Sequence, residues 1–188
     1  MSSLDAIREY FARLVSVYRS ETGGLPRCEH DPEWTSPCEV GLPSDGGTIA
    51  WEPIERVTPE SFDDIEAQTG VQLREDAKAW LGRFYFQWHE VKVGRHLVTI
   101  GDVWSESAIR DFKKTLVDHL TNELEAGREP SIPIGDFEDG RAVSVLNSSG
   151  AVVVEEEDVA PVVLAKSLEE FLRSARVVVT LGDRGEVL

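Results

Sequence analysis

The sequence predicts one α+β domain, in which a mixed, mostly antiparallel sheet packs against helices. The chain has 188 residues, of which 41% are hydrophobic, and this suits a single domain with a substantial core. Apolar residues recur with helical spacing in several segments, and the strand candidates between them alternate with a period of two. Most of these strand candidates meet through short turns, which join antiparallel neighbours.

An amphipathic helix is predicted over residues 1–20. Apolar residues from Leu4 to Tyr18 recur at spacings of three and four, and the glycine pair at 23–24 ends the pattern. Residues 21–50 contain four prolines and little periodicity, so we expect a long proline-rich loop there.

Two short helices and a hairpin are predicted next. Thr58-Pro59 is typical of a helix start and Gly70 of its end, and a second short helix is expected over residues 75–83. Residues 84–103 alternate as two strands around a turn at Gly94-Arg95.

A long helix and a strand-rich segment complete the prediction. The helix covers residues 106–126, and Ser167 with Glu170 forms a capping box that opens a last short helix. Strand candidates lie at 131–134, 142–147 and 151–154. Residues 176–188 are predicted as a C-terminal extension of a single domain that spans residues 1–188.

The charge balance is strongly acidic. The chain carries 35 acidic and 19 basic residues, a formal net charge of −16. Nucleic acids and anionic lipid surfaces bind basic patches, so neither is expected as a direct partner. The charge fits a basic protein partner or no partner at all, in which case it serves solubility or adaptation to a saline cytoplasm. The run of acids at 155–158 is expected to form a solvated loop or a docking patch.

We expect the chain in the cytosol. No stretch reaches the roughly 20 apolar residues of a membrane-spanning helix, and the charged N-terminus does not match a secretory signal. The two cysteines cannot form a disulfide framework, which fits a reducing compartment.

Motifs for catalysis are absent from the sequence. It contains no G-x-S-x-G nucleophile turn and no glycine-rich phosphate loop. Cys28, His30 and Cys38 share one loop, but they lack the tight pair and the fourth ligand of a zinc site. His89 and His96 are expected to be exposed strand residues and not metal ligands. We therefore predict no catalytic residue, no metal and no cofactor.

Several short motifs occur in a fixed order along the chain. They are LP at Leu25, WTSPCEVG at Trp34, WEP at Trp51, VWSE at Val103, SVLNSSGAV at Ser144 and LAKSLEEFL at Leu164. In these motifs and their order, over residues 1–175, the chain resembles the Syd family of SecY-interacting proteins. The family belongs to the SMI1/KNR4-like superfamily, so the resemblance implies an SMI1/KNR4-like α+β fold.

The resemblance also implies a function. Syd-family proteins are non-enzymatic binding proteins whose acidic concave surface docks on basic cytosolic loops of SecY, a subunit of the Sec translocase, and they regulate or monitor SecY. By this resemblance the chain would be a monomer on the cytoplasmic side of the inner membrane. It would be held there peripherally by SecY and not by direct lipid binding.

The acidic face is predicted from family motif positions and from the acids around them. Glu66, Trp104 and Glu106 match motif positions, and Trp104 also fits a core position at a strand end. The residues predicted for the protein-binding face are Glu60, Asp63, Asp64, Glu66, Asp102, Glu106, Asp136, Glu138 and Asp139.

Two other functions remain open. An immunity-type protein of the same superfamily would use an acidic surface to neutralise a basic toxin domain. A carboxylate-dependent hydrolase would need a closed pocket that holds acids with raised pKa values.

Overall fold

The computed structural model describes residues 2–155 and 161–179, which form five helices and twelve strands. The helices are α1 (Ser3–Thr22), α2 (Asp63–Thr69), α3 (Glu75–Arg83), α4 (Glu106–Glu125) and α5 (Leu168–Ser174). The strands are β1 (Arg27–Glu29), β2 (Glu39–Val40), β3 (Thr48–Trp51), β4 (Ile54–Glu55), β5 (Phe84–Tyr85), β6 (His89–Val93), β7 (His96–Ile100), β8 (Ser131–Phe137), β9 (Ala142–Leu146), β10 (Val152–Val154), β11 (Val162–Ala165) and β12 (Arg176–Val177). The predicted α+β class is confirmed. Among the described residues, no helix is both long enough and apolar enough to cross a membrane.

Local sequence signals set the ends of the two long helices. In α1, the Ser2 hydroxyl accepts from the Asp5 amide while the Asp5 carboxylate accepts from the Ser2 amide, which makes a capping box. Gly23 ends this helix in the left-handed conformation, with φ at 76°. Helix α4 begins after Ser105, whose hydroxyl accepts from the Ala108 amide.

A seven-stranded sheet forms the centre of the fold within the described residues. Its strand order is β11-β10-β9-β8-β7-β6-β12, and every neighbouring pair is antiparallel. The edge strands β11 and β12 are joined by α5 and its short flanks, a connection that reaches roughly 24 Å. A flat sheet of this size would separate its edges by about 29 Å, so the sheet must curl.

Helix α1 packs against this sheet through an aromatic cluster that includes His89. Burial lowers the pKa of His89 to about 4, so its ring is neutral. Its Nδ1 faces the Gln87 carbonyl oxygen at 2.8 Å and must donate to it, so Nε2 accepts from the Tyr10 hydroxyl. The prediction that His89 is exposed is wrong, because its ring packs among Tyr10, Trp51 and Phe86.

The segment expected to be a proline-rich loop contains a small sheet of its own. Strands β1, β3 and β2 lie side by side in that order, with Cys28 opposite Ile49 and Glu39 opposite Trp51. Strands of two to four residues leave no periodic pattern in a sequence, which is why this sheet was not predicted.

The start of α2 was predicted at the wrong residue. Thr58-Pro59 does not begin a helix, and α2 begins at Asp63. The backbone amides of Arg56 and Glu60 both donate to carbonyl oxygens at the end of α3. These bonds tie the segment to α3, so the chain turns into a helix only after it has passed Glu60.

The C-terminal part of the described chain adds two strands at opposite edges of the sheet. Strand β11 was not predicted, because its four residues show no alternation. Strand β12 pairs with β6, with Arg176 opposite Lys92. Of the acidic run at 155–158 only Glu155 falls within the described residues, and of the predicted extension at 176–188 only residues 176–179 do.

Candidate functional site

Helices α2 and α4 border a surface groove of about 460 Å³. Ile65 of α2 and Ile109 of α4 contribute buried apolar side chains to its floor. Its polar lining consists of Glu60, Asp64, Gln68, Glu106, Arg110, Lys113, Lys114 and Asp118. The fold thus brings together Glu60, Asp64 and Glu106, which are three of the acids predicted for the binding face.

Arg56 lies next to this groove and neutralises two of its acids. Its side chain is 6% exposed, and its Nη2 lies 2.9 Å from Glu106 Oε1 and 3.1 Å from Glu60 Oε2. The guanidinium also lies over the Tyr85 ring, 4.5 Å from its centre, and the Tyr85 hydroxyl donates to Glu106. The Tyr85 hydrogen bond and the charge of Arg56 lower the pKa of Glu106. Burial and the same hydrogen bond raise the pKa of Tyr85 to about 12.

Lys113 neutralises two acids on the α2 side of the groove. Its Nζ lies 2.8 Å from Asp64 Oδ1 and 2.9 Å from Glu60 Oε1, and it donates to the Ser61 carbonyl oxygen. Burial lowers the pKa of Lys113, but the hydrogen bonds to Asp64 and Glu60 outweigh burial and raise it. The hydrogen bond from Lys113 lowers the pKa of Asp64. Both partners are therefore held in their charged forms.

The acids that line the groove are largely matched by bases in and beside it. The acids are Glu60, Asp64, Glu106 and Asp118, and the bases are Arg56, Arg110, Lys113 and Lys114. A basic partner would have to displace internal cations before it could use most of these carboxylates. The groove is thus much less acidic than the net charge of −16 leads one to expect.

Three more of the predicted acids lie outside the groove lining. Glu66 is turned toward the start of α3, where it accepts from the Leu73 amide and lies 3.1 Å from Lys78 Nζ. Asp63 is the exposed first residue of α2. Asp102 follows β7 and is half-buried, and burial raises its pKa.

Glu138 and Asp139 lie near the start of β7, at the opposite end from Asp102. Val98 of β7 is opposite Phe137 of β8, so the turn after β8 lies near the start of β7, whereas Asp102 follows its end. In that turn Glu138 lies 3.7 Å from His96, and Asp139 lies 2.8 Å from Arg141. The predicted acids therefore do not form one continuous face. Asp136, on β8, is exposed.

Several functional candidates were missed at the level of sequence. The groove cations Arg56, Arg110 and Lys113 belong to no motif, and only the fold places them beside the acids. Glu90 did carry a signal, because it alternates with Val91 and Val93 in a predicted strand, and Trp88 precedes it by two residues. Trp104, in contrast, is buried as expected, and its indole N–H donates to the Trp34 carbonyl oxygen.

No metal site is formed within residues 2–155 and 161–179, because no three His, Cys, Asp or Glu side chains there are arranged to hold an ion. Cys38 is buried and Cys28 is half-buried. Burial raises the pKa of both thiols, to about 12 for Cys38.

Ser131, His119 and Glu155 are in contact, but their hydrogen bonds run in the wrong direction for catalysis. The Ser131 hydroxyl donates to Glu155, and its oxygen lies 2.8 Å from His119 Nε2. Since the one hydroxyl proton goes to Glu155, Nε2 must carry a proton and donate to Ser131. A histidine that activates a serine needs that nitrogen unprotonated, and Ser131 is also buried.

The chain matches the family model described as Syd protein (SUKH-2) over residues 4–176. It is 28% identical over 176 residues to Protein Syd of Shewanella halifaxensis, which covers 92% of this chain and 81% of the relative. It is 30% identical over 171 residues to Protein Syd of Aeromonas hydrophila subsp. hydrophila, which covers 90% and 93%. With Protein Syd of Alteromonas mediterranea it shares 26% identity over 163 residues, or 85% and 90% of the two chains. These matches confirm the resemblance found in the motifs.

Proposed function

We propose a binding function for this chain, which belongs to the Syd family. In the proposal, an acidic part of its surface docks on basic cytosolic loops of SecY, and the protein thereby regulates or monitors SecY at the cytoplasmic side of the inner membrane. The observation that carries the proposal is the family match over residues 4–176. The net charge of −16 supports it, because cytoplasmic loops of membrane proteins are rich in Lys and Arg.

Electrostatics would decide how the protein reaches the membrane. An acidic domain is attracted to basic loops and repelled by the anionic lipid surface around them. Binding would therefore depend on SecY itself and not on lipid. Complementary charge raises the association rate more than the final affinity, and added salt weakens the attraction between the partners.

The chemistry of the described residues supports binding over catalysis. The groove carboxylates Asp64 and Glu106 have lowered pKa values, whereas a carboxyl group that acts as a general acid needs a raised one. Asp102 has a raised pKa, but it is not among the residues that line the groove. A carboxylate-dependent hydrolase is therefore the weaker alternative.

Co-sedimentation with proteoliposomes tests the proposed function. The vesicles have the same anionic lipid composition and either contain or lack SecY, and each set is tested at low and at high salt. We expect the protein to sediment only with SecY vesicles, and less at high salt. Equal sedimentation with empty vesicles, or none with SecY at any salt, would overturn the proposal. The second result would favour a basic toxin domain as the partner.

A further inference from the structure

We infer that the basic partner segment docks on the open face of β6, β7 and β8 and not in the groove between α2 and α4. The docking surface is centred on Trp88, Glu90 and Asp136, which we call the open-face patch. This inference deepens the proposed function and rests on it, because it states which surface receives the basic SecY loop.

Strand register places the two acids of the patch in one row. Glu90 is opposite Thr99, and Thr99 is in turn opposite Asp136. Directly paired residues point to the same side of a sheet, so these three side chains share one face. Two strand spacings separate the Cα atoms of the two acids by about 10 Å. His89 and Val91 point to the other face and are buried in the core.

This face is open along the row. Asp136 is exposed, and Glu90 and Thr99 are half-buried. Trp88, directly before β6, is 54% exposed, which makes it an unusually accessible tryptophan. Because the intervening His89 points inward, alternation places Trp88 on the same side as Glu90.

The acids of the patch are available, whereas most of those in the groove are not. Within residues 2–155 and 161–179, neither Glu90 nor Asp136 forms an ion pair. In the groove, Asp64 is bound to Lys113 and Glu106 to Arg56. A partner cation thus meets unpaired carboxylates on the open face, but would have to compete with an internal cation in the groove.

The boundaries of the patch indicate the partner's chemistry. Lys92 follows Glu90 on the same face and pairs with Arg176, so positive charge limits the patch at that end. In the polyproline II conformation, with three residues per turn and a rise of about 3.1 Å per residue, Lys or Arg at positions i and i+3 lie on one side roughly 9 Å apart, close to the spacing of the two acids. One of these cations can also lie over the Trp88 indole, a favourable cation–π arrangement.

Two double variants with the same change in net charge test the location. Glu90→Gln with Asp136→Asn neutralises the open-face patch, and Asp64→Asn with Asp118→Asn neutralises two exposed acids of the groove lining. Binding is measured at equilibrium with SecY in nanodiscs, and thermal melts check that both variants fold. We expect the open-face variant to bind roughly tenfold more weakly and the groove variant to change by less than about threefold. Equal weakening, or greater weakening by the groove variant, would overturn the inference.

A probe without SecY separates this inference from the proposed function. A lysine-rich decapeptide is titrated into the ¹⁵N-labelled protein, and amide and indole shifts are followed by NMR. We expect the largest shifts at the Trp88 indole and in residues 89–92, 97–100 and 135–137, and we expect Trp88→Ala to reduce them. Largest shifts in α2 and α4 would overturn the inference. Shifts at the patch without any binding to SecY nanodiscs would support the open-face patch as a docking surface and would exclude SecY as its partner.

Discussion

Arg56 donates through Nη2 to both carboxylate oxygens of Glu106, at 2.9 and 3.0 Å. The Arg56 side chain is buried and Glu106 is largely exposed, so this surface carboxylate is already bound to a buried cation. Lys113 holds Glu60 and Asp64 in the same way. The acids that can bind the cations of a partner are therefore those without an ion pair of this kind.

Removal of the Glu106 charge should destabilise the protein. Glu106→Gln keeps the shape of the side chain but removes the negative charge that faces the buried Arg56. We expect the free energy of unfolding to fall by about 1–2 kcal/mol. Asp118→Asn, an exposed acid on the same helix, should change it by less than about 0.5 kcal/mol. Urea unfolding of both variants measures the difference, and equal losses would contradict this account of Arg56.

The buried His89 should make the fold sensitive to mild acid. Its pKa is about 4 in the folded protein and 6.5 in a model peptide, so the unfolded chain takes up the proton first as pH falls. The part of the free energy of unfolding that depends on neutral His89 is fully present above about pH 6.5 and is lost as pH falls toward 4. It amounts to about 3 kcal/mol at most.

Urea unfolding from pH 7 to pH 4.5 measures this slope. Within this window the carboxylates with lowered pKa values add little, because the ordinary values are 3.8 for Asp and 4.5 for Glu; they are Asp5, Glu55, Asp64, Glu106, Asp111 and Asp139. We expect His89→Gln to flatten the slope and His96→Gln to leave it in place. An unchanged slope in the His89 variant would show that other groups cause the acid sensitivity.

A methyl group at Gly135 should disrupt the pairing of β7 with β8. A Cβ there would lie 2.2 Å from the Thr99 carbonyl oxygen, whereas at Gly101 the nearest atom would be 3.4 Å away. We expect Gly135→Ala to lower the free energy of unfolding by about 1–3 kcal/mol and Gly101→Ala to cost less. Denaturant unfolding of both variants tests this order. A Gly101 variant that is as unstable as the Gly135 variant would contradict the close approach of the two strands.

Salt should stabilise the folded protein. An excess of acids, 35 against 19 basic residues, repels itself in the compact state, and salt screens this repulsion. We expect the melting temperature to rise as NaCl increases from 0.02 M to about 1 M. Differential scanning fluorimetry measures this dependence. A flat or falling melting temperature would contradict the idea that the charge suits a saline cytoplasm.

Signals confined to a few neighbouring residues predicted the local structure well. The Ser167 cap and the hairpin turn at Gly94 lie where their patterns placed them, because a cap or a tight turn depends on local hydrogen bonds. The helix start predicted at Thr58-Pro59 was wrong, because hydrogen bonds from Arg56 and Glu60 to α3 hold this segment outside the helix. A contact between segments that are distant in the sequence leaves no trace in a local pattern.

The candidate site was harder to predict than the fold, for the same reason. Composition shows that acids are plentiful, but it does not show which of them are paired. Arg56 and Glu106 are 50 residues apart in sequence and belong to no common motif. The position of Asp136 in one row with Glu90 likewise depends on the register of three strands, which only the folded chain defines.

The most direct test of the central claim is the affinity of the wild-type protein for SecY in nanodiscs, measured across a salt series beside empty nanodiscs of the same lipid. The account predicts binding that requires SecY and weakens steadily as salt rises, because acidic docking on basic loops is screened. Binding that is independent of salt, or that is equal with empty nanodiscs, would contradict it.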